Sequence, residues 1–450
     1  MHIPDGYLSP ETCGVFWATA TPFWAIAATR VRKTLSGRTV PLLAIFSAFS
    51  FAIMMFNVPV PGGTTAHGVG GTLCAIILGP WAAVISTSVA LVIQALFFGD
   101  GGILSIGANC FNMGIVLPFV GYFTYKAILG NGDPLSQRSV IAAAIGSYMG
   151  ITVAALCVGL ELGLQPHIAS TNGIPDYSPY GWGTSIPAML LSHAAGASFV
   201  EAAVTALSVA YLQTSFPELL TRGRPATEAA RQMVAHPRVN PWAAFGAFMV
   251  FALGVFITVG MIAGHGHVDH FAGLDWNTVD WGDAGQTVLV SAIVSAVVLP
   301  GIYFILKGFT GRGLRIILLV FAGLIIWAPI GLIAPGGAFG EDATASQAEV
   351  QAALDAKAQG DSSLFDALPD VNQQCSCVPS KISDVNYSSH ALLTGYEPPW
   401  VSDTDPAWQQ NLGYQVAAIA GFAMLAAIGF GLYQFGRWLS PQAPPDWRTA

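Results

Sequence analysis

The chain has 450 residues, of which 9% are charged and 53% are hydrophobic, and its formal net charge is −8. Because a soluble domain carries roughly 25% charged residues, this deficit excludes a water-facing globule, and the hydrophobic content excludes disordered, collagen-like and disulfide-rich chains. The composition predicts a polytopic membrane protein, provided that the apolar residues occur in runs long enough to cross a bilayer.

Apolar runs recur along the chain at the length that a membrane span needs, which is about 20 residues. The approximate runs are 13–29, 40–56, 62–98, 104–125, 139–162, 185–212, 242–264, 285–306, 314–334 and 412–436. The third run is too long for one helix, and Gly79-Pro80 near its middle is a helix-breaking pair. Dividing the run at this pair gives eleven spans.

Basic residues decide whether this run is divided, because Lys and Arg in short loops mark the cytoplasmic side of a membrane. The basic cluster at 30–38 follows the first span and places the N-terminus outside. With the division, all of the 17 basic residues except Lys357 and Lys381 fall on the cytoplasmic side. The sequence therefore predicts an all-α bundle in the plasma (inner) membrane, with the N-terminus outside and the C-terminus in the cytoplasm.

The beginning of the chain has the residues of a nitrogen chelate. Met1-His-Ile-Pro-Asp-Gly6 has no basic region of a secretory signal, so we expect a mature N-terminus, and a residue as large as His2 favours retention of Met1. The α-amine of Met1, the deprotonated amide nitrogen of His2 and the His2 imidazole would then close adjacent chelate rings around one ion. Planar nitrogen donors favour Ni(II), Cu(II) or Co(II) over Mg or Ca.

A second imidazole, that of His67, lies in the glycine-rich stretch 61–71 and on the same outer side in this topology. Glycine permits close backbone approach, and an ionisable residue at membrane depth is a candidate for function. A histidine that caps a helix is the structural alternative. A phosphate loop is not supported, because the Lys of the nucleotide-binding pattern is missing.

Five longer motifs point to a known family. They are Met1-His-Ile-Pro-Asp-Gly-Tyr-Leu-Ser9, Phe56-Asn-Val-Pro-Val-Pro-Gly-Gly-Thr-Thr-Ala-His-Gly68, Leu78-Gly-Pro-Trp-Ala-Ala83, Gln94-Ala-Leu-Phe-Phe-Gly-Asp-Gly-Gly102 and Gly107-Ala-Asn-Cys-Phe-Asn-Met113. Together they resemble the CbiM/NikM family, the substrate-binding (S) components of energy-coupling-factor (ECF) transporters that import cobalt or nickel. The resemblance covers residues 1–215, which contain the first seven predicted spans.

The resemblance implies a metal site and a set of partners. The N-terminal segment would fold back into the bundle, where the Met1 amine, the His2 amide and imidazole and the His67 imidazole hold the metal. The protein would be a transport component and not an enzyme, with the metal as cargo and no cofactor. It would work with a membrane coupling subunit (T component) and cytoplasmic ATPase subunits (A components), since the chain has no Gly-x-x-x-x-Gly-Lys-Ser/Thr sequence.

The imported metal and the contacts of the second span leave alternatives open. We favour cobalt for cobalamin biosynthesis, because the motifs are slightly closer to cobalt members, over nickel for nickel enzymes. Ala44, Ala48 and Ala52 form a small-residue stripe that is similar to the motif by which such components dock on the coupling subunit, or that serves internal packing. No nucleic-acid partner is expected.

Three other polar residues fall within or beside the predicted spans. Glu201 and His193 fall within the seventh span, where they either line the interior near the site or make a structural hydrogen bond. Asp100 lies in a tight turn, which we expect it to shape rather than to bind metal.

The second half, residues 241–450, follows a basic linker at 216–240 and contains four more spans. His265, His267 and His270 either capture incoming metal or belong to a merely polar loop. The last two spans and the loop between them are similar to a small two-helix accessory membrane subunit, which predicts a fused accessory module.

The loop at roughly 335–411 has 11 acidic residues against two lysines. It either raises the local cation concentration or is a solvated loop that stays outside because it is poor in basic residues. Cys375 and Cys377 within it can bind metal or form a disulfide.

Two other functional classes remain as alternatives to an import component. A self-sufficient secondary transporter for a divalent cation would show internal repeats with paired broken helices, and no convincing repeat relates the two halves. A metal sensor without transport would show no ATP-dependent uptake.

Overall fold

The structure is a computed structural model in which part of the chain is described. The described residues are 1–34, 39–60, 64–221, 281–307, 312–329, 345–368, 372–373, 376–379, 381, 391–396, 398–402 and 405–439. Several sequence predictions lie outside these ranges, namely the span 242–264, most of the linker 216–240, the histidines His265, His267 and His270, and Cys375.

The first half is built almost entirely from α-helices. These are α1 (Pro10–Thr34), α2 (Thr39–Met55), α3 (Gly71–Leu78), α4 (Pro80–Ile93), α5 (Ile106–Asn109), α6 (Leu117–Leu129), α7 (Gln137–Ile168), α8 (Trp182–Ser192), α9 (Ser198–Ser215) and α10 (Pro217–Thr221). Wide π-helical turns follow α4, α5 and α8, at Gln94–Phe98, Cys110–Val116 and His193–Ala197. Such turns occur frequently at functional sites.

Two short antiparallel hairpins interrupt the helices. Strand β1 (Asn57–Val60) pairs with β2 (Thr64–His67), and β3 (Ser170–Thr171) pairs with β4 (Ile174–Pro175). The first hairpin places His67 at the end of β2, directly opposite Asn57.

The described part of the second half is also helical. Its helices are α11 (Trp281–Lys307), α12 (Arg312–Trp327), α13 (Gln347–Ala358), α14 (Ser363–Asp366) and α15 (Ala407–Leu439), with a 3-10 turn at Thr394–Tyr396. Part of the acidic loop is therefore folded, and α13 begins with a capping box in which Ser346 and Glu349 bond each other's backbone amides.

Four helices in the described ranges are long and apolar enough to cross a membrane. They are Pro80–Phe98, Ile106–Leu129, Gln137–Ile168 and Gly285–Ile305. Shorter apolar helices occupy Leu42–Met55 and Leu318–Trp327. The prediction of a multi-pass helical membrane protein is confirmed at this level.

The long apolar run at 62–98 is divided where the sequence predicts, but its first part is not a continuous span. Gly79 has φ 96° and ends α3, and Pro80 begins α4. Helix α3 has only eight residues, which is about 12 Å against a hydrocarbon core of about 30 Å. The β1–β2 hairpin precedes it because Pro59 and Pro61, which lack an amide hydrogen, cannot continue a helix.

The two halves pack against each other through α2 and α15. A Cβ atom at Gly421 of α15 would overlap the Phe51 ring of α2, so the two helices are in close contact. Ala48 and Ala52 are only 4% and 3% exposed. For these two residues, internal packing is therefore the better interpretation of the alanine stripe.

Candidate metal centre

A buried carboxylate holds the loop that carries His67. Glu201 of α9 is fully buried and accepts hydrogen bonds from the backbone amides of Val69 at 2.7 Å and Gly70 at 3.0 Å. Gly70 has φ 75°, a left-handed conformation that suits glycine. Of the two predicted roles for Glu201, the structural hydrogen bond is the one observed, and it positions the chain immediately after His67.

The N-terminal segment runs inside the helix bundle. The amide of Ile3 donates to Asn109 Oδ1 at 2.8 Å, and Asn109 Nδ2 donates back to the Ile3 carbonyl at 3.0 Å. The amide of Ser9 donates to Gln165 Oε1 at 2.9 Å. Because side chains satisfy these backbone groups, the segment can be buried without strands or helices of its own.

Asp5 links this segment to the turn that follows α4. Its carboxylate oxygens accept from the amides of Ile103 and Leu104, both at 2.9 Å. The backbone passes so close that a Cβ at Gly102 would overlap the side chain and amide of Asp5. The glycine-rich motif at 99–102 therefore leaves room for the N-terminal segment to pack against it.

The structure brings the two predicted imidazoles together. His2 Nδ1 and His67 Nε2 lie 3.1 Å apart, and the ring centroids are 4.8 Å apart. Adjacent nitrogens of a square around one ion lie about 2.8 Å apart when the metal–nitrogen bonds are about 2.0 Å. The observed separation is close to that value, so both atoms can face one ion with little movement.

Both imidazoles are buried, since the His2 side chain is 7% exposed and His67 is 4% exposed. Burial and the positive charge of the chain's α-amine lower the pKa of His2 to about 3. A neutral imidazole offers a lone pair to a metal.

Backbone contacts orient the His67 ring. His67 Nδ1 lies 3.0 Å from the carbonyl oxygen of Gly68, so the hydrogen is assigned to Nδ1 and Nε2 keeps its lone pair toward His2. Among the described residues, no three His, Cys, Asp or Glu side chains converge on a possible metal position.

Asp100 and Tyr396 complete the surroundings of His2, and the sequence did not indicate either contact. Asp100 Oδ1 lies 3.1 Å from His2 Nδ1, and Asp100 Oδ2 accepts from the Tyr396 hydroxyl. The glycine-flanked position of Asp100 was a signal of close approach. Tyr396 lies 296 positions from Asp100 in the sequence, and no local pattern predicts a partner at that distance.

The remaining predicted candidates lie elsewhere or are differently engaged. His193 is buried, with Nδ1 2.9 Å from the Met189 carbonyl oxygen. Cys377 is disulfide-bonded. Cys13, Cys74 and Cys110 are free and buried, and buried free cysteines commonly pack as small apolar side chains.

Comparisons with known proteins agree on metal transport. Residues 2–219 match the CbiM family model, described as the cobalt uptake substrate-specific transmembrane region. The fused nickel transport protein NikMN of Rhodobacter capsulatus is 44% identical over 301 residues, which cover 65% of this chain and 80% of that protein. A protein of Methanocaldococcus jannaschii named for metal transport is 51% identical over 222 residues, covering 49% of this chain and 95% of that protein. A crystal structure of a truncated transition metal transporter is 54% identical, covers 47% of this chain and 98% of the other, and has a TM-score of 0.45.

Proposed function

Because this chain belongs to the CbiM/NikM family of cobalt- and nickel-uptake membrane proteins, we propose that it is the substrate-binding component of an ECF importer for Co²⁺ or Ni²⁺. The observation that carries the proposal is the 3.1 Å approach of His2 Nδ1 to His67 Nε2 inside the bundle. The metal is the transported cargo.

The proposed site takes four nitrogens. They are the Met1 amine, the His2 amide and imidazole Nδ1, and the His67 imidazole Nε2. Three come from two adjacent residues, so they close two chelate rings, and His67 supplies the fourth corner. Mg²⁺ and Ca²⁺ prefer oxygen ligands and gain little here, whereas late first-row ions suit a planar nitrogen set.

The buried N-terminal segment supports this arrangement. Asn109 and Gln165 bond to the backbone at Ile3 and Ser9, and the Asp5 side chain anchors the segment to the amides of Ile103 and Leu104. The first two residues are therefore held in one place. A preorganised chelate binds more tightly because less chain entropy is lost when the ion arrives.

Transport energy is proposed to come from separate subunits, a T component in the membrane and A components that hydrolyse ATP. The proposed topology keeps eleven membrane crossings, with the N-terminus outside and the C-terminus inside. The third crossing is made by β2 and the short helix α3 together, since irregular backbone is tolerated at membrane depth where protein buries it. Residues 1–215 form the seven-span metal-binding domain, 216–240 the linker, and 241–450 a fused second membrane domain with four spans. The 301-residue match to a relative named as a fused protein is longer than the family region 2–219, which supports such a fusion.

Two metals remain candidates. Cobalt, for cobalamin biosynthesis, is the first, because the sequence motifs favour it and the family model is described by cobalt uptake. Nickel is the second, because the Rhodobacter relative is named for nickel transport.

Calorimetric titration of the purified full chain with Co²⁺, Ni²⁺ and Mg²⁺ tests the proposal. We expect each chain to bind one Co²⁺ or Ni²⁺ ion and no Mg²⁺. Of Co²⁺ and Ni²⁺, the ion that binds more tightly is identified as the physiological cargo. Labelled-metal uptake in cells should require the coupling and ATPase subunits. Uptake by this chain alone, driven by an ion gradient, would instead identify a secondary transporter.

A further inference from the structure

We propose that Tyr396 is a positioning residue through which the C-terminal half of the chain sets the geometry around His2. The proposal rests on the metal site proposed above and adds to it a residue from the second membrane domain.

The segment 391–396 is docked on the π-helical turn that follows α4. The amide of Leu393 donates to the Phe97 carbonyl oxygen at 2.8 Å. The Tyr396 ring stacks on Phe98, with ring centroids 5.0 Å apart, and its other neighbour is Tyr414 at 5.2 Å. Tyr396 is therefore wedged between the two halves of the protein, and it is buried.

The Tyr396 hydroxyl holds two side chains that flank His2. It donates to Asp100 Oδ2 and accepts from Gln94 Nε2 at 2.9 Å. Asp100 uses its other oxygen, Oδ1, to face His2 Nδ1 at 3.1 Å. The Gln94 side chain lies beside the His2 ring, and its Nε2 also donates to Asp100 Oδ2 at 3.3 Å. One phenol thus orients two of the groups that lie beside the imidazole.

The backbone at Tyr396 is unusual for an aromatic residue. Its φ is 63° and that of Gly395 is 64°. Bulky side chains are rarely found in this left-handed region, and they persist there only where the surroundings over-determine them. The backbone conformation is the one that turns the Tyr396 side chain toward Asp100 and Gln94.

The proposed metal chemistry gives these contacts a purpose. When the ion occupies His2 Nδ1, the ring hydrogen must be on Nε2, which needs an acceptor. Among the described residues, His2 Nε2 and Gln94 Oε1 are both buried without a hydrogen-bond partner. Ligating histidines generally donate their second ring nitrogen to an oxygen, and Gln94, held by Tyr396, offers one.

Asp100 would compensate charge in the loaded state. A divalent ion bound by one deprotonated amide and three neutral nitrogens leaves a net charge of +1 at a buried position, and an uncompensated buried charge is costly. The Asp100 carboxylate, held beside the ligand nitrogen by Tyr396, offsets it without needing to coordinate the ion.

The test compares two Tyr→Phe variants of the full chain, each of which removes only a hydroxyl group. Tyr396→Phe should weaken Ni²⁺ binding by about 10-fold or more, in line with other partners of metal ligands. Tyr414→Phe is the matched control. Its hydroxyl donates to the Met55 carbonyl oxygen at 3.1 Å and accepts a longer bond from Asn57 Nδ2 at 3.4 Å, and no described hydrogen bond joins it to Asp100 or Gln94. The Tyr414→Phe protein should bind Ni²⁺ within about twofold of wild type, since binding loss follows removal of a ligand's partner.

A spectroscopic readout separates positioning from general destabilisation. The visible ligand-field absorption of the Ni²⁺- or Cu²⁺-loaded protein reports the geometry at the ion. It should shift in Tyr396→Phe and not in Tyr414→Phe. Asp100→Asn supplies a second variant should Tyr396→Phe fail to fold, and the same shift and loss are expected from it.

A double variant and a ligand variant complete the test. The losses from Tyr396→Phe and Asp100→Asn should be non-additive, because both act through one chain of contacts. Two outcomes would overturn the role of Tyr396 and leave the site intact. One is full additivity of the two losses, and the other is wild-type affinity and spectrum in Tyr396→Phe while His2→Ala abolishes binding. Wild-type binding by His2→Ala overturns the site itself.

Discussion

His2 Nδ1 and His67 Nε2 lie 3.1 Å apart in the interior of the bundle, although 65 positions separate the two residues. Two independent supports produce this contact. Asn109 fixes the backbone at Ile3, and Glu201 fixes the backbone just after His67. The pairing is therefore a property of the folded bundle and not of the hairpin alone.

Removal of either imidazole should abolish metal binding. We expect His2→Ala and His67→Ala each to weaken Co²⁺ and Ni²⁺ binding by more than about 100-fold, because even partners of ligands contribute 10–100-fold. His167→Ala is the control, since His167 is exposed and its ring lies against Trp182. Calorimetric titration measures the effect. Normal metal uptake by either site variant would contradict the assignment.

The α-amine should be as necessary as the imidazoles. One residue added before Met1 converts the amine into an amide and moves the chain end, so two chelate rings can no longer form as proposed. We expect such a protein to insert normally and to lose Ni²⁺ binding. The same peptide fused at the other end of the chain should have no effect. If both fusion proteins bind equally well, the amine is not a ligand.

Gly102→Ala tests whether the buried N-terminal segment delivers the ligands. The new Cβ would overlap Asp5, so the segment must shift and the donors move with it. We expect at least a 10-fold loss of metal affinity, the lower bound for disturbed ligand positioning. Gly14→Ala is the control, because a Cβ there meets nothing within 4 Å and a helical Gly→Ala change stabilises by about 0.5–1 kcal/mol. Equal affinities for both variants would show that the segment is not needed in this position.

Glu201→Gln tests the support behind His67. The carboxylate accepts two backbone amides, and an amide side chain that presents its NH₂ to one of them leaves a buried donor unpaired. That defect costs about 1–3 kcal/mol, so we expect a lower melting temperature together with weaker metal binding. Glu218→Gln, at an exposed residue of α10, should change stability by less than about 0.5 kcal/mol. Unaltered binding in Glu201→Gln would mean that His67 is positioned by other contacts.

Local patterns predicted those parts of the protein that local physics determines. The helix break at Gly79-Pro80 follows from the chemistry of two adjacent residues and is confirmed. Strand β2 lies within the apolar run 62–98 and was not predicted, because hydropathy alone does not distinguish a buried strand from a buried helix. The contact between Asp100 and Tyr396 depends on how two distant halves pack, and a single sequence has no signal for such a contact.

The burial of the N-terminal segment also imposes an order on biosynthesis. Its partners Asn109 and Gln165 are synthesised after it, and at 5–20 residues per second Gln165 emerges roughly 8–30 s after the first residues. Ile3 and Ser9, which bond to these side chains, must therefore wait outside their final position while most of the first half is translated. The segment that is synthesised first is therefore among the last to reach its final position. A ribosome that stalls before it translates α7 would leave this segment without Gln165, the partner of Ser9.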